Sequence, residues 1–101
     1  MFDQVLVARV GDIEVARAAE RDTMTIEGSV YFPPDSVNFG LLTQSGTQTR
    51  CPWRGEAVYY DVTVGERVVE DAAWSYPQPT RKAERLRDFV SFWKEVVVEP
   101  V

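Results

Sequence analysis

A small, mainly β, antiparallel domain with one short C-terminal helix near residues 81–88 is predicted by three features of this sequence. Apolar and polar residues alternate cleanly from Ala57 to Val64, two turns begin with glycine, and Pro77-Gln78-Pro79 precedes a stretch with helical spacing. Val58, Tyr60, Val62 and Val64 fall on one face of the first strand, with Ala57, Tyr59, Asp61 and Thr63 on the other. Gly65-Glu66 is a two-residue turn of the hairpin type, and Arg67 to Trp74 returns as the partner strand. Val68, Glu70, Ala72 and Trp74 are expected on one side of it. With Val64 facing Arg67, an unbroken ladder sets Ala57 opposite Trp74, Glu70 opposite Asp61, and Gly55 level with Tyr76. Phe39, Leu41, Val58, Tyr60, Val62, Val64 and Val68 are the expected core.

The remaining elements follow in order. Val5–Val10 and Ile13–Arg17 are β-rich runs joined by Gly11-Asp12, again with glycine first, although the Ala and Arg content of Glu14 to Glu20 also fits a helix. Thr23 to Glu27 alternates, with Met24 and Ile26 sharing a face, and Val30-Tyr31-Phe32 is ended by Pro33-Pro34. Val37, Phe39, Leu41 and Thr43 alternate up to a turn expected at Ser45-Gly46. After the prolines, Thr80 is a candidate N-cap for a helix carrying Ala83 and Leu86 inward. Phe89 to Trp93 fits either helix or strand, and Val96 to Val98 reads as a strand or an extended tail.

Composition narrows the function. At 101 residues, 1–101 is one domain, and 45% hydrophobic residues suffice for a packed core. The net charge of −5 repels phosphate backbones and anionic lipid, so neither nucleic acid nor membrane is an expected partner. With one cysteine and no histidine, a zinc site of four Cys or His ligands cannot be assembled, and no metal or other cofactor is expected. The start Met1-Phe2-Asp3-Gln4 does not resemble a signal peptide, and no apolar run approaches a membrane span, which makes the cytoplasm the expected compartment.

Four groups of residues carry a family resemblance. They are Tyr31-Phe32-Pro33, then Cys51-Pro52-Trp53-Arg54-Gly55 with Ala57 and Tyr59, then Ala72-Ala73-Trp74-Ser75-Tyr76-Pro77, and finally Val90-Ser91-Phe92-Trp93. In this order they resemble the bacterial family known as domain of unknown function 427, over nearly the whole chain. Arg54 stands where the family pattern has lysine and keeps the charge. The resemblance implies a compact antiparallel β-tent, a fold shared with methionine-sulfoxide reductase B and the ligand domain of cereblon. Similar sequences are sometimes labelled nucleotidyltransferase-like. Gly28-Ser29 is present here, but the Asp-x-Asp pair by which nucleotidyltransferases hold magnesium is not.

Within the two central motifs, Cys51 is the candidate nucleophile, because neighbouring Arg50 and Arg54 favour a thiolate; the alternative is a cysteine that packs as a small apolar residue. No histidine is present to act as its base. Glu70 is the candidate general acid or base, with ion pairing as the alternative. Arg54 is suited to clamp a carboxylate or phosphate, the alternative being a solvated loop arginine. Trp53, Tyr59, Trp74 and Tyr76 are suited to line a cleft for a flat or cationic ligand, the alternative, favoured for Trp74 by its alternation with Ala72, being burial in the core. Two functions are compatible with this set. One is small-molecule binding, with or without catalysis, where the motifs meet; the other is a protein-interaction module, and a homo-oligomer fits either.

Overall fold

In a computed structural model, residues 4–101 are described. Met1 to Asp3, and with them the charge pattern that argued against a signal peptide, lie outside the described residues. Among the described residues nine strands form two antiparallel sheets. β1 (Val5–Val10), β2 (Ile13–Ala19) and β9 (Val97–Pro100) make the smaller sheet in the order β2-β1-β9. β3 (Met24–Ile26), β4 (Ser29–Phe32), β5 (Leu42–Cys51), β6 (Gly55–Val64), β7 (Arg67–Pro79) and β8 (Val90–Phe92) make the larger, in the order β3-β4-β8-β7-β6-β5. Among the described residues no helix is long and apolar enough to cross a membrane.

The two glycine-first turns form as expected. Gly11 and Gly65 take φ of 58° and 62° while Val10 pairs with Ile13 and Val64 with Arg67. The third tight turn is of the other hairpin type, with both Glu27 (φ 52°) and Gly28 (φ 84°) in the left-handed region between β3 and β4.

Alternation divides the side chains of the larger sheet between two cores. Phe32, Val62, Val69, Ala73, Val90 and Phe92 point toward the smaller sheet and pack with Leu6, Ala8, Val10 and Val15. Tyr31, Ala57, Tyr76 and Leu86 gather on a second cluster, with Trp74 and Tyr59 against it. Tyr31 and Phe32 are neighbours in β4 yet serve different cores, as the two-residue period of a strand requires.

Three expectations about the ladder and the core are corrected. The β6–β7 register starts as expected but shifts twice, so that Trp74 faces Tyr59 rather than Ala57, and Gly55 faces Pro79 rather than Tyr76. The first shift is a bulge at Glu70 and Asp71, where Asp71 takes φ of 51°. Val68 is exposed, because Val69 stands opposite Val62 and occupies the core face instead. Phe39 is also exposed; it lies in a short 3-10 turn with its ring edge-on to Tyr60 at 6.3 Å. That turn replaces the expected strand because the Asn38 side chain accepts the Gly40 N–H. Val62 is fully buried, while Leu41, Val58, Tyr60 and Val64 are half-buried.

Two local corrections follow from hydrogen bonds. Ser45-Gly46 is a bulge inside β5 and not a turn. Ser45 and Thr47 there donate their hydroxyls to the two carboxylate oxygens of Asp71. The expected helix near 81–88 is instead a pair of 3-10 turns over Arg81–Leu86, broken at Ala83 (φ −107°, ψ 18°). Thr80 does not cap it, since its hydroxyl donates to the Trp53 carbonyl at 2.6 Å. Phe89 to Trp93 resolves as the strand β8 and its exit.

Two outcomes are expected. Val62→Ala should cost about 1–3 kcal/mol in a denaturant titration, through lost burial and a residual cavity. Asp71→Asn tests the bulge, because asparagine tolerates the left-handed backbone but carries no charge. The two hydroxyls hold the Asp71 carboxyl below its ordinary range, Ser45 more than Thr47. A depressed folded-state value means the stabilisation is complete above about pH 4, the ordinary aspartate value, and is lost as pH falls through the folded value. The stability deficit of Asp71→Asn should therefore be present near neutrality and shrink on acidification.

Candidate functional site

The site begins with one line of residues across the larger sheet. Tyr31 on β4 pairs with Ser91 on β8, Ser91 with Trp74 on β7, and Trp74 with Tyr59 on β6. Residues paired directly across strands share a face, so three aromatic side chains and one small one stand in a row. Ser91 is fully buried and donates its hydroxyl to the Val30 carbonyl at 2.9 Å, so it adds no bulk to the row. Over it the Tyr31 and Trp74 rings meet edge-on at 6.1 Å, and the Trp74 indole N–H donates to the Tyr31 hydroxyl at 3.3 Å. The Tyr59 hydroxyl is held by Thr49 at 3.0 Å, and Trp93 stands edge-on to Trp74 at 5.6 Å.

Tyr76 joins this face from two residues further along β7, its ring 6.4 Å from that of Tyr31. Above it sits Arg54, which comes from the turn between β5 and β6. That turn is fixed by close contact with the end of β7. The Thr80 N–H donates to the Arg54 carbonyl at 3.0 Å. Gly55 has φ of 111°, and a Cβ there would lie 3.0 Å from the Gln78 carbonyl oxygen, so only glycine fits without strain. The Arg54 side chain folds inward. Its Nε donates to the Tyr76 hydroxyl at 3.2 Å, its Nη1 donates to Glu27 at 2.7 Å, and its charge lies 5.9 Å from the centre of the Tyr76 ring.

Together these groups enclose a cleft of about 260 Å³, with five aromatic rings as walls, Ile26 and Ser29 at its side, and Arg54 and Glu27 as the charged pair. Burial pushes the Tyr31 hydroxyl up, which keeps it protonated at neutral pH. The Tyr76 hydroxyl, and after it Glu27, push Arg54 further up, so its charge is permanent. What this arrangement can do chemically is stack a flat ring and pair with an anion. Among the described residues no group of three or more His, Cys, Asp or Glu side chains is placed to hold a metal.

A family model described as domain of unknown function (DUF427) matches residues 3–100. The chain belongs to this family. No curated protein matches it.

In this DUF427 domain the two sequence motifs do converge, at the Arg54–Tyr76 hydrogen bond, although the ladder runs in a different register from the one expected. Arg54, Tyr59, Trp74 and Tyr76 share the cleft. Cys51 does not reach it. It packs half-buried beside the second core and lines a separate groove of about 540 Å³ with Gly55, Pro77 and Pro79. Trp53 is 71% exposed at the turn and lines neither space. Glu70 is exposed in the β7 bulge, away from both, with the Lys94 ammonium on its backbone carbonyl at 2.8 Å.

Sequence reasoning missed Tyr31, Trp93 and Glu27. Tyr31 and Trp93 belong to the flanking motifs Tyr31-Phe32-Pro33 and Val90-Ser91-Phe92-Trp93, so a search for aromatics across all the motifs finds them. Glu27 carries no such signal. Tyr31→Phe removes the acceptor for the Trp74 indole and should lower stability by about 1 kcal/mol. Thermal denaturation with a blue- or red-shifted Trp74 emission checks this, and unchanged values of both would show that the bond contributes nothing.

Proposed function

We propose that this domain binds a small planar molecule carrying an anionic group, with the ring between the aromatic walls and the anion on Arg54. The observation that carries the reading is the inward-folded guanidinium, whose side chain is only 21% exposed beside a cleft walled by rings. An arginine has five N–H donors, and Tyr76 takes only the one on Nε, so the Nη groups, one of which holds Glu27, are the donors that a carboxylate or phosphate would use. The volume suits one or two rings, just below the range usual for larger ligands. Tyr31, kept protonated, adds a neutral hydroxyl to orient the ring substituents.

Thiol chemistry has less support. Cys51 opens into the other groove, and the sequence holds no histidine to activate it. A protein-interaction role rests on exposed apolar side chains such as Trp53, Val68, Trp93 and Phe39, and exposed apolar residues are ordinary on a protein surface.

Benzoate and phenyl phosphate, which share a ring and differ in the anion, test the proposal by titration of tryptophan fluorescence and by thermal shift. Saturable quenching and a raised melting temperature are expected with at least one of them. Arg54→Met should weaken that binding by about tenfold or more, as expected for loss of a hydrogen bond to a charged group. Absence of binding to both probes at millimolar concentration, or equal binding by Arg54→Met, overturns it.

A further inference from the structure

We infer that Glu27 is a built-in competitor for the anion position, an autoinhibitory latch that a ligand must displace from Arg54. This rests on the binding reading above and concerns how that site is regulated. Glu27 lines the same cleft as the rings and puts one carboxylate oxygen on Arg54 Nη1 at 2.7 Å. It thus stands where the anion of a ligand would stand.

Three features make it an occupant that leaves rather than a permanent partner. First, its side chain is 73% exposed, whereas that of Arg54 is 21% exposed. An ion pair with one partner in water holds weakly, because the freed carboxylate is well solvated. Second, the contact is one-pronged, through Oε1 alone, while a carboxylate or phosphate arriving in the cleft can take two N–H groups of the fork. Third, Arg54 does not depend on Glu27 for its position. The Tyr76 hydroxyl holds Nε at 3.2 Å, and the Arg54 backbone is tied to Thr80. Release of Glu27 leaves the guanidinium in place.

The location of Glu27 serves such a movement. It sits at the tip of a hairpin between two short strands, Met24–Ile26 and Ser29–Phe32, at the edge of the larger sheet. Rotation of its side chain disturbs no ladder hydrogen bond. The consequence is selectivity: an anion strong enough to replace the carboxylate enters, whereas a neutral ring gains nothing by displacing it.

The test compares benzoate with benzamide, its neutral counterpart, on the wild type, Glu27→Gln, Glu27→Ala and, as a control for net charge, Glu20→Gln. Fluorescence titration gives each dissociation constant. Glu27→Ala is expected to bind benzoate about two- to fivefold more tightly than wild type, the range set by loss of an exposed ion pair. Glu27→Gln should fall between the two, and Glu20→Gln should match wild type. Benzamide affinity should not change. Benzoate bound by the Ala variant no more tightly than by wild type overturns the latch and leaves the binding proposal standing. Equal tightening in Glu20→Gln overturns it as well, by assigning the effect to net charge. Absence of benzoate binding in every variant overturns the latch together with the carboxylate form of the binding proposal. Binding seen only once Glu27 is removed supports the latch most directly.

Discussion

The larger sheet turns on Asp71. Its backbone sits in the left-handed region inside a strand, a conformation that costs an ordinary residue free energy and is kept only where surrounding bonds hold it. Here they come from three directions. Its N–H donates to the Asp61 carboxylate at 2.9 Å, its carbonyl accepts from the Trp93 indole, and its carboxylate takes the hydroxyls of Ser45 and Thr47. One residue thereby joins β5, β6, β7 and the segment leaving β8. The bulge at this point moves the β7 register two residues along β6, and this shift brings Trp74 opposite Tyr59. Without it the aromatic row would not form.

Downstream of the bulge, β7 serves both cores in turn. Ala72 and Ala73 are fully buried, Ser75 lies toward the packed interior, and Trp74 and Tyr76 open onto the cleft. Small residues on one side let the sheets approach, while large rings on the other build walls. Ser91 is the matching device on β8. A bulky residue there would hold Tyr31 and Trp74 apart, whereas a serine lets their rings meet over it and satisfies its own hydroxyl on the neighbouring carbonyl.

The charge at the cleft runs against that of the chain as a whole. A net charge of −5 disfavours anions at long range, yet Arg54 offers a fixed positive group at the mouth of an apolar space. Contact electrostatics there outweigh the screened field of distant carboxylates, since charges beyond about 8–10 Å are largely screened at physiological salt. Glu27 is the one carboxylate among the cleft residues, and it makes that local balance adjustable.

Much of this was legible in the chain. The glycine-first turns, the strand from Ala57 to Val64 and the meeting of Arg54 with Tyr76 follow from local pattern, because alternation and turn chemistry act between near neighbours. That Val69 and not Val68 is buried already followed from the Gly65-Glu66 turn, whose register sets Val69 opposite Val62 and Val68 opposite Thr63. The tertiary structure decided the rest. Whether Arg81–Leu86 became a helix depended on Thr80 bonding to Trp53, 27 residues away. The bulge at Asp71 needed hydroxyls from β5, and the ion pair of Arg54 needed a hairpin tip from the other edge of the sheet. Local sequence encodes period and turn, but bonds between residues distant in the chain set register and site, and their partners are selected only when the sheets close.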